Sequence, residues 1–273
     1  ELFPEYEIHD ELKAVTVEML LSHMSGISSR FRGLGFDKLA EISPDLIKQR
    51  AIIAKRTLET KPEYTPGTKF NYSNVGYIIL GHILERIENS SWENIISDNL
   101  FKPLDMSTCT FGPPKNQNMQ HPTQPWPHKY SALGPEAIFP GKPELADNVP
   151  ALGPAGTVSC SLEDWGKFAL LHLNSNEQVF LSKATMNKLH TVGNQAAPGV
   201  PSYTYGAWAI MHYEWAKGDV LQHGGSNTMN FARIWIAPRI KTIALVATNY
   251  AGPEVNGDFE ASSAAYEVLD LMT

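Results

Sequence analysis

Residues 219–248 read DVLQHGGSNTMNFARIWIAPRIKTIALVAT, and this stretch decides the fold class. Aromatic and β-branched residues gather in Asp219 to Gly225, Asn230 to Ile236 and Thr242 to Thr248, which reads as three strands. Lys217-Gly218-Asp219 and Pro238-Arg239 suit tight turns, and a fourth run, Tyr203 to Tyr213, precedes them. Short connections between such runs predict an antiparallel meander. A closing helix is expected over Phe259 to Met272.

The residues ahead of the strands read as helices. Thr16 can cap a helix through Leu20 and Leu21 that stops near Gly26, where a residue without Cβ can turn left-handed. Ser43-Pro44-Asp45 offers a capping hydroxyl, a proline at the first helical position and an acid at the positive end of the dipole, for a helix to about Leu58. Val75, Ile78, Ile79, Ile83 and Ile87 keep helical spacing, and Ser91 to Phe101 follows until Pro103 ends it. From Gly112 to Pro154 ten of the 19 prolines occur and no period is sustained, which reads as a long excursion over the surface. After Gly156, Ser161 and Asp164 form a cap ahead of Trp165, Phe168, Leu171 and Leu173, and Ser182 opens one more short helix.

Helices first and a meander last indicate an α+β chain. We expect a mostly helical subdomain over 1–200, with the Pro-rich loop at 112–155, and an antiparallel sheet with a C-terminal helix over 201–273. So few strands leave both sheet edges open, which predicts strands missing upstream.

Composition excludes several functions. With 22 basic and 29 acidic side chains the net charge is −7, and without a Lys/Arg cluster no nucleic-acid partner is expected. The most apolar stretch, Val75 to Leu84, is interrupted by Gly76, Gly81 and His82, far short of the ~20 residues a membrane span needs. No HExxH, Cys-x-x-Cys, G-x-G-x-x-G or Walker lysine occurs, so neither metal nor cofactor is expected. Gly224-Gly225-Ser226-Asn227-Thr228 lacks the last glycine of a nucleophile elbow. Cys109 and Cys160 cannot form a disulfide framework; two free thiols are expected, with a single bridge as the alternative.

Two segments remain as candidate chemistry. Pro66-Gly67-Thr68-Lys69-Phe70-Asn71-Tyr72-Ser73-Asn74 puts a phenol and an amide at a helix mouth; the plainer reading is that Asn74 caps the helix and Tyr72 packs. Gln222-His223-Gly224-Gly225-Ser226 ends a strand with glycines that admit a ligand close to the backbone, or that merely make a bulge.

Taken in order, five segments resemble the serine β-lactamase-related family of class C β-lactamases, D,D-peptidases and esterases. Leu20-Leu21-Ser22-His23-Met24-Ser25-Gly26 is similar to its LLxHxSG segment, and Pro66-Gly67 leading to Tyr72-Ser73-Asn74 to its PG-x(n)-YSN element. Pro103-Leu104-Asp105-Met106-Ser107-Thr108-Cys109-Thr110 resembles its PLGM-x-x-T stretch, with Asp105 replacing glycine, and Gly153-Pro154-Ala155-Gly156-Thr157-Val158-Ser159 followed by Asp164 its AGG-x-x-S/T-x-x-D segment. His223-Gly224-Gly225 matches the H-x-G form of its third catalytic motif. The resemblance implies a β-lactamase/D,D-peptidase-like fold and, weakly, a periplasmic or secreted setting.

The family's nucleophile sits in a Ser-x-x-Lys motif ahead of the LLxHxSG segment, and no serine here has lysine three positions later. With the chain starting at Glu1 rather than Met, the expectation is a C-terminal portion whose N-terminal strands and nucleophile helix are absent, a possible partner being that missing segment. By the resemblance, Tyr72 shares the role of base with the upstream lysine, and Asn74 hydrogen-bonds that lysine and the substrate. His223 contacts the substrate carboxylate or the Tyr72 oxygen, Gly224 and Gly225 leave room, and the Ser226 N–H lines the oxyanion hole. Trp126, Trp208 and Tyr250 are expected at the pocket wall, unless the aromatics only tie down the long loop. The substrate expected is a small ester, amide or β-lactam, an esterase or peptidase reaction being favoured, with the truncated chain inactive alone. A non-catalytic relative that binds a ligand is the competing reading, and His23 is read as structural.

Overall fold

A computed structural model describes residues 2–31, 35–114, 124–138, 146–174, 180–194 and 197–251. The helix expected over Phe259 to Met272 lies outside these residues. In chain order the helices are α1 (Val17–Leu21), α2 (Phe36–Ile42), α3 (Leu46–Leu58), α4 (Asn74–Glu88), α5 (Trp92–Ile96), α6 (Gly153–Gly156), α7 (Leu162–Leu173) and α8 (Lys183–Leu189). The strands are β1 (Thr110–Phe111), β2 (His128–Lys129), β3 (Glu136–Ala137), β4 (Val158–Ser159), β5 (Ser202–Tyr203), β6 (Ala209–Tyr213), β7 (Gly218–Ser226), β8 (Phe231–Ala237) and β9 (Thr242–Thr248). The fold is α+β. Among the described residues no helix is long and apolar enough to cross a membrane.

Two compact units interleave along the sequence. The first takes Glu1–Pro103, Val149–Thr157 and Asn187–Ala207; the second takes Leu104–Asn148, Val158–Met186 and Trp208–Thr273. The division expected at 200/201 therefore falls at 207/208, and two further segments leave the helical part.

In the first unit, caps fix where helices begin. Thr16 caps α1 as expected, its hydroxyl accepting from the Met19 amide at 3.3 Å. At α3 the cap is Asp45 rather than Ser43: its carboxylate accepts from Ile47 N–H at 2.9 Å, while Ser43 Oγ accepts from Asp45 N–H. A charged acceptor at the positive helix end outcompetes a hydroxyl two residues outside. Gly26 turns left-handed at φ +72°, and a Cβ there would lie 2.0 Å from the Tyr64 carbonyl oxygen. The second turn from Ser91 is wider than α, the Lys102 amide donating to the Ser97 carbonyl at 2.9 Å. Leu39, Ile53, Val75, Ile78 and Ile79 lie fully buried in the core between α2, α3 and α4; each is worth about 1.5–3 kcal/mol on burial. Gly81 interrupts the apolar run because Pro154 of α6 fills the place of a Cβ. Beneath this core, Arg50 (α3) forms ion pairs with Glu85 (α4) at 2.6 Å and Glu93 (α5) at 2.8 Å.

In the second unit β6 to β9 form the expected antiparallel meander, in register His223↔Ile234 and Ile234↔Leu245. The run expected as one strand from Tyr203 to Tyr213 is broken, with Ala207 left-handed at φ 65° between β5 and β6. Period-two alternation sends Leu221, Ile234 and Ile236 to a face covered by α7 residues Trp165, Phe168 and Ala169, and Val220, Trp235 and Ala237 to the other. The two cysteines are not free thiols: Cys109 and Cys160 form a disulfide. They adjoin the β1–β4 pair Thr110↔Ser159, which brings their Cα atoms to 4.2 Å. Two cysteines 51 positions apart carried no signal of that pairing.

Candidate active site

Tyr72 and Asn74 stand at the mouth of α4, in the first unit. The cap between them is Ser73, whose hydroxyl accepts from the Gly76 amide at 3.1 Å and donates to the Ser28 carbonyl at 2.8 Å. Asn74, read above as the cap, is instead the first helical residue, and its amide makes no side-chain hydrogen bond to any described residue. The Ser73 hydroxyl takes the capping bond, so the neighbouring amide is not engaged in it.

Tyr72 is 43% exposed, and burial of the remainder raises its phenol above the usual value of 10.0. Its ring leans on His23 at 4.2 Å between centroids. Tyr77 and Tyr203 pack on the same imidazole at 5.2 and 4.9 Å, and Phe70 meets it edge-on. The Tyr77 hydroxyl donates to the Leu21 carbonyl at 2.8 Å. Burial drives the Tyr77 and Tyr203 phenols far above the ordinary range, so both stay protonated. His23, Tyr77 and Tyr203 carried no sequence signal as a group, because they are brought together from three separate segments.

His223, Gly224, Gly225 and Ser226 form the C-terminal end of β7, in the second unit. His223 is half-buried, and desolvation, aided by the charge of Arg233, lowers its pKa despite an opposing bond with the Gly224 backbone. It is therefore neutral at pH 7. Gly224, Gly225 and Ser226 are exposed, and a Cβ on Gly225 would meet nothing within 4 Å. The Ser226 hydroxyl accepts from the Thr228 amide at 3.0 Å. Asn227 organises the following turn, its Nδ2 donating to Asp147 at 2.8 Å and its Oδ1 accepting from the Met229 and Asn230 amides.

The expected wall residues divide. Trp208 is 4% exposed in the core of the second unit, its indole donating to His172 Nδ1 at 3.3 Å, so it packs rather than lines a surface. Trp126 and Tyr250 are half-buried. The Trp126 carbonyl accepts from Asn249 Nδ2, the His128 amide donates to the Asn249 carbonyl, and His128 bridges Tyr250. These bonds tie the backbone around Trp126 and His128 to the end of β9.

Asp164, at the end of the AGG-x-x-S/T-x-x-D resemblance, forms a latch with Thr108 and Lys167. Asp164 accepts from the Thr108 amide at 2.7 Å and hydroxyl at 2.5 Å, and from Lys167 Nζ at 2.7 Å. Among the described residues no three His, Cys, Asp or Glu side chains gather as around a metal ion.

A family model described as Beta-lactamase matches residues 7–267. The chain is 26% identical over 253 residues to Penicillin-binding protein 4 of Amycolatopsis lactamdurans, covering 87% of this chain and 60% of that relative. It superposes on a penicillin binding protein from Bacillus halodurans with a TM-score of 0.71 at 17% identity, covering 95% of this chain and 76% of the other. With a D-stereospecific amidohydrolase from Streptomyces sp. the TM-score is 0.66 at 19% identity, covering 90% and 70%. The likeness to solved structures at these identities is one of fold.

Proposed function

Because the chain belongs to the Beta-lactamase family, we propose that it carries the proton-transfer and substrate-holding groups of a serine hydrolase that works through an acyl-serine on an ester or amide. An esterase or peptidase reaction is favoured over dedicated β-lactamase action, since β7 carries His223 rather than the lysine that favours a penicillin carboxylate. The observation that carries the reading is the division of labour at α4: Ser73 takes the cap, and Tyr72 and Asn74 on either side keep an accessible ring and an uncommitted amide.

A serine hydroxyl is a weak nucleophile and needs a neighbouring base. A phenol held above its ordinary pKa serves as one only beside a cation, which lowers it again. The resemblance assigns both nucleophile and cation to Ser-x-x-Lys, which none of the 273 residues supply. Attack of that serine on the substrate carbonyl passes its proton through Tyr72 to the leaving amine or alkoxide, and water then frees the acid by the reverse path. Asn74 orients the substrate amide or ester. The roles that the resemblance gives to the end of β7 are a hydrogen bond from His223, room at Gly225 and an oxyanion donor in the Ser226 N–H; the neutral imidazole and the exposed glycines are compatible with them. In comparable sites one such donor is worth about 2.7–4 kcal/mol.

The test is intact mass spectrometry after incubation with a fluorophosphonate, on this chain and on the product of the whole natural reading frame. A single adduct on the latter alone is expected, to be followed by short-chain esters, D-amino-acid amides and a chromogenic cephalosporin. A sequence without Ser-x-x-Lys also favours a second reading, a relative that binds its ligand without turning it over; absence of an adduct from both proteins would establish that one instead.

A further inference from the structure

His23 holds the segment 71–73 at three points. Its backbone carbonyl accepts from the Asn71 amide at 2.8 Å, its Nδ1 accepts from the Ser73 amide at 3.1 Å, and its ring lies 4.2 Å from the ring of Tyr72 between them. His23 and Ser73 are each 1% exposed, so these bonds form out of water. His23 also sits at φ 57°, in the left-handed region that histidine enters more readily than most residues with a Cβ. From that backbone position its Nδ1 meets the amide following Tyr72.

We propose that His23 is a positioning residue for Tyr72, a neutral imidazole whose Nδ1 fixes the backbone on one side of the phenol while its carbonyl fixes the other. The inference rests on the acyl-transfer reading for its consequence, though not for its geometry. An acceptor at Nδ1 requires the proton on Nε2, so the clamp also sets the tautomer. A base must hold its oxygen in line with the proton it takes; the Asn71 amide group on Ile27 and the Ser73 hydroxyl on Ser28 also anchor the segment, but of these supports His23 alone spans both sides of Tyr72 and touches its ring.

Substitutions separate the clamp from mere packing. Asn keeps an acceptor at the position of Nδ1 and tolerates the left-handed backbone, but loses the ring. Phe keeps the ring without the acceptor, and Gly keeps only the backbone freedom. Fluorophosphonate acylation of the whole natural gene product is expected to fall in His23→Phe and His23→Gly by the about 100-fold that a misplacement of 1 Å can cost, and to be largely retained in His23→Asn. Retention in His23→Phe, or equal loss in His23→Asn and His23→Gly, would overturn the proposal, since a packing role predicts that order.

A second measurement needs no activity. In this chain, NMR should detect scalar coupling between the Ser73 amide nitrogen and His23 Nδ1, together with Nε2–H imidazole shifts. Absence of the coupling overturns the clamp whether or not the gene product is acylated. If the coupling is present and no protein is acylated, the clamp stands and the acyl-transfer reading fails.

Discussion

Thr108 gives both its amide and its hydroxyl to the same carboxylate oxygen of Asp164, at 2.7 and 2.5 Å. With Lys167 on the other oxygen, these bonds hold the Asp164 carboxyl at about 2, the lysine contributing most. A depressed carboxylate stabilises the fold above its unfolded pKa near 3.8, and that stability is lost as pH falls through the folded value. Between pH 4 and 2 the wild type is therefore expected to lose more stability than Asp164→Asn, measured as the difference between their urea midpoints at each pH. Parallel acid limbs would reject the assignment.

The disulfide extends this latch. Residue by residue, Thr108 meets Asp164 and Ser161, Cys109 bonds Cys160, and Thr110 pairs with Ser159. Closing a loop of 51 residues removes unfolded-chain entropy worth about 4 kcal/mol on the loop-closure model. Cys109→Ala combined with Cys160→Ala is expected to lower stability by about that much, and a reducing agent should lower the wild-type Tm while leaving the double variant unmoved.

Arg50 answers two carboxylates in a place without water. Its side chain and that of Glu85 are both 0% exposed. Burial alone would raise the Glu85 pKa, yet the His82 ring 3.7 Å away, the hydrogen bonds and charge of Arg50 and the Trp92 amide bring it below the ordinary value. Arg50→Met leaves Glu85 buried and uncompensated, a loss of about 3–5 kcal/mol. Adding Glu85→Leu should recover part of it, because the stranded charge is then gone; calorimetry on both variants decides.

Much of this fold was legible because its signals are local. The alternation in Asn230 to Ile236, the turn at Lys217 (φ 52°) and the caps Thr16 and Ser161 each depend on a few adjacent residues. What stayed hidden is long-range. The Cys109–Cys160 bond depends on the pairing of two-residue strands that no period announces, and the surroundings of His23 on rings from residues 70–77 and 203. At the α4 mouth the chemistry of Tyr72-Ser73-Asn74 was visible, but which of Ser73 and Asn74 would cap was not, since both are good caps; the Ser28 carbonyl decides by engaging the Ser73 hydroxyl.

His223 should show in stability as well as in reactivity. Desolvation, with the Arg233 charge, lowers its pKa from 6.5, so the folded chain binds fewer protons there than the unfolded one. Stability from this group is complete above about pH 6.5 and declines as the medium becomes more acidic. His190 is lowered by burial in the same sense, so the wild type carries both effects. His223→Gln is expected to flatten the decline between pH 7 and 5 partly, and an unchanged slope in urea titrations would count against a desolvated His223.

The sharpest separation of structure from function lies between two adjacent residues. Ser73→Ala removes the acceptor for the Gly76 amide and the donor to Ser28, so it should cost about 1 kcal/mol or somewhat more. Asn74→Ala removes no hydrogen bond to any described residue, and alanine is the better helix former, by up to about 0.7 kcal/mol. The Tm of Asn74→Ala should therefore equal or exceed that of the wild type, whereas acylation of the whole natural gene product should fall steeply, because the lost amide acts only on bound groups. A destabilised Asn74→Ala would mean that the amide holds the fold, and an active one that the substrate is oriented elsewhere. Ser73→Ala should give the opposite pattern, a lower Tm with acylation reduced only as far as the Tyr72 segment loosens.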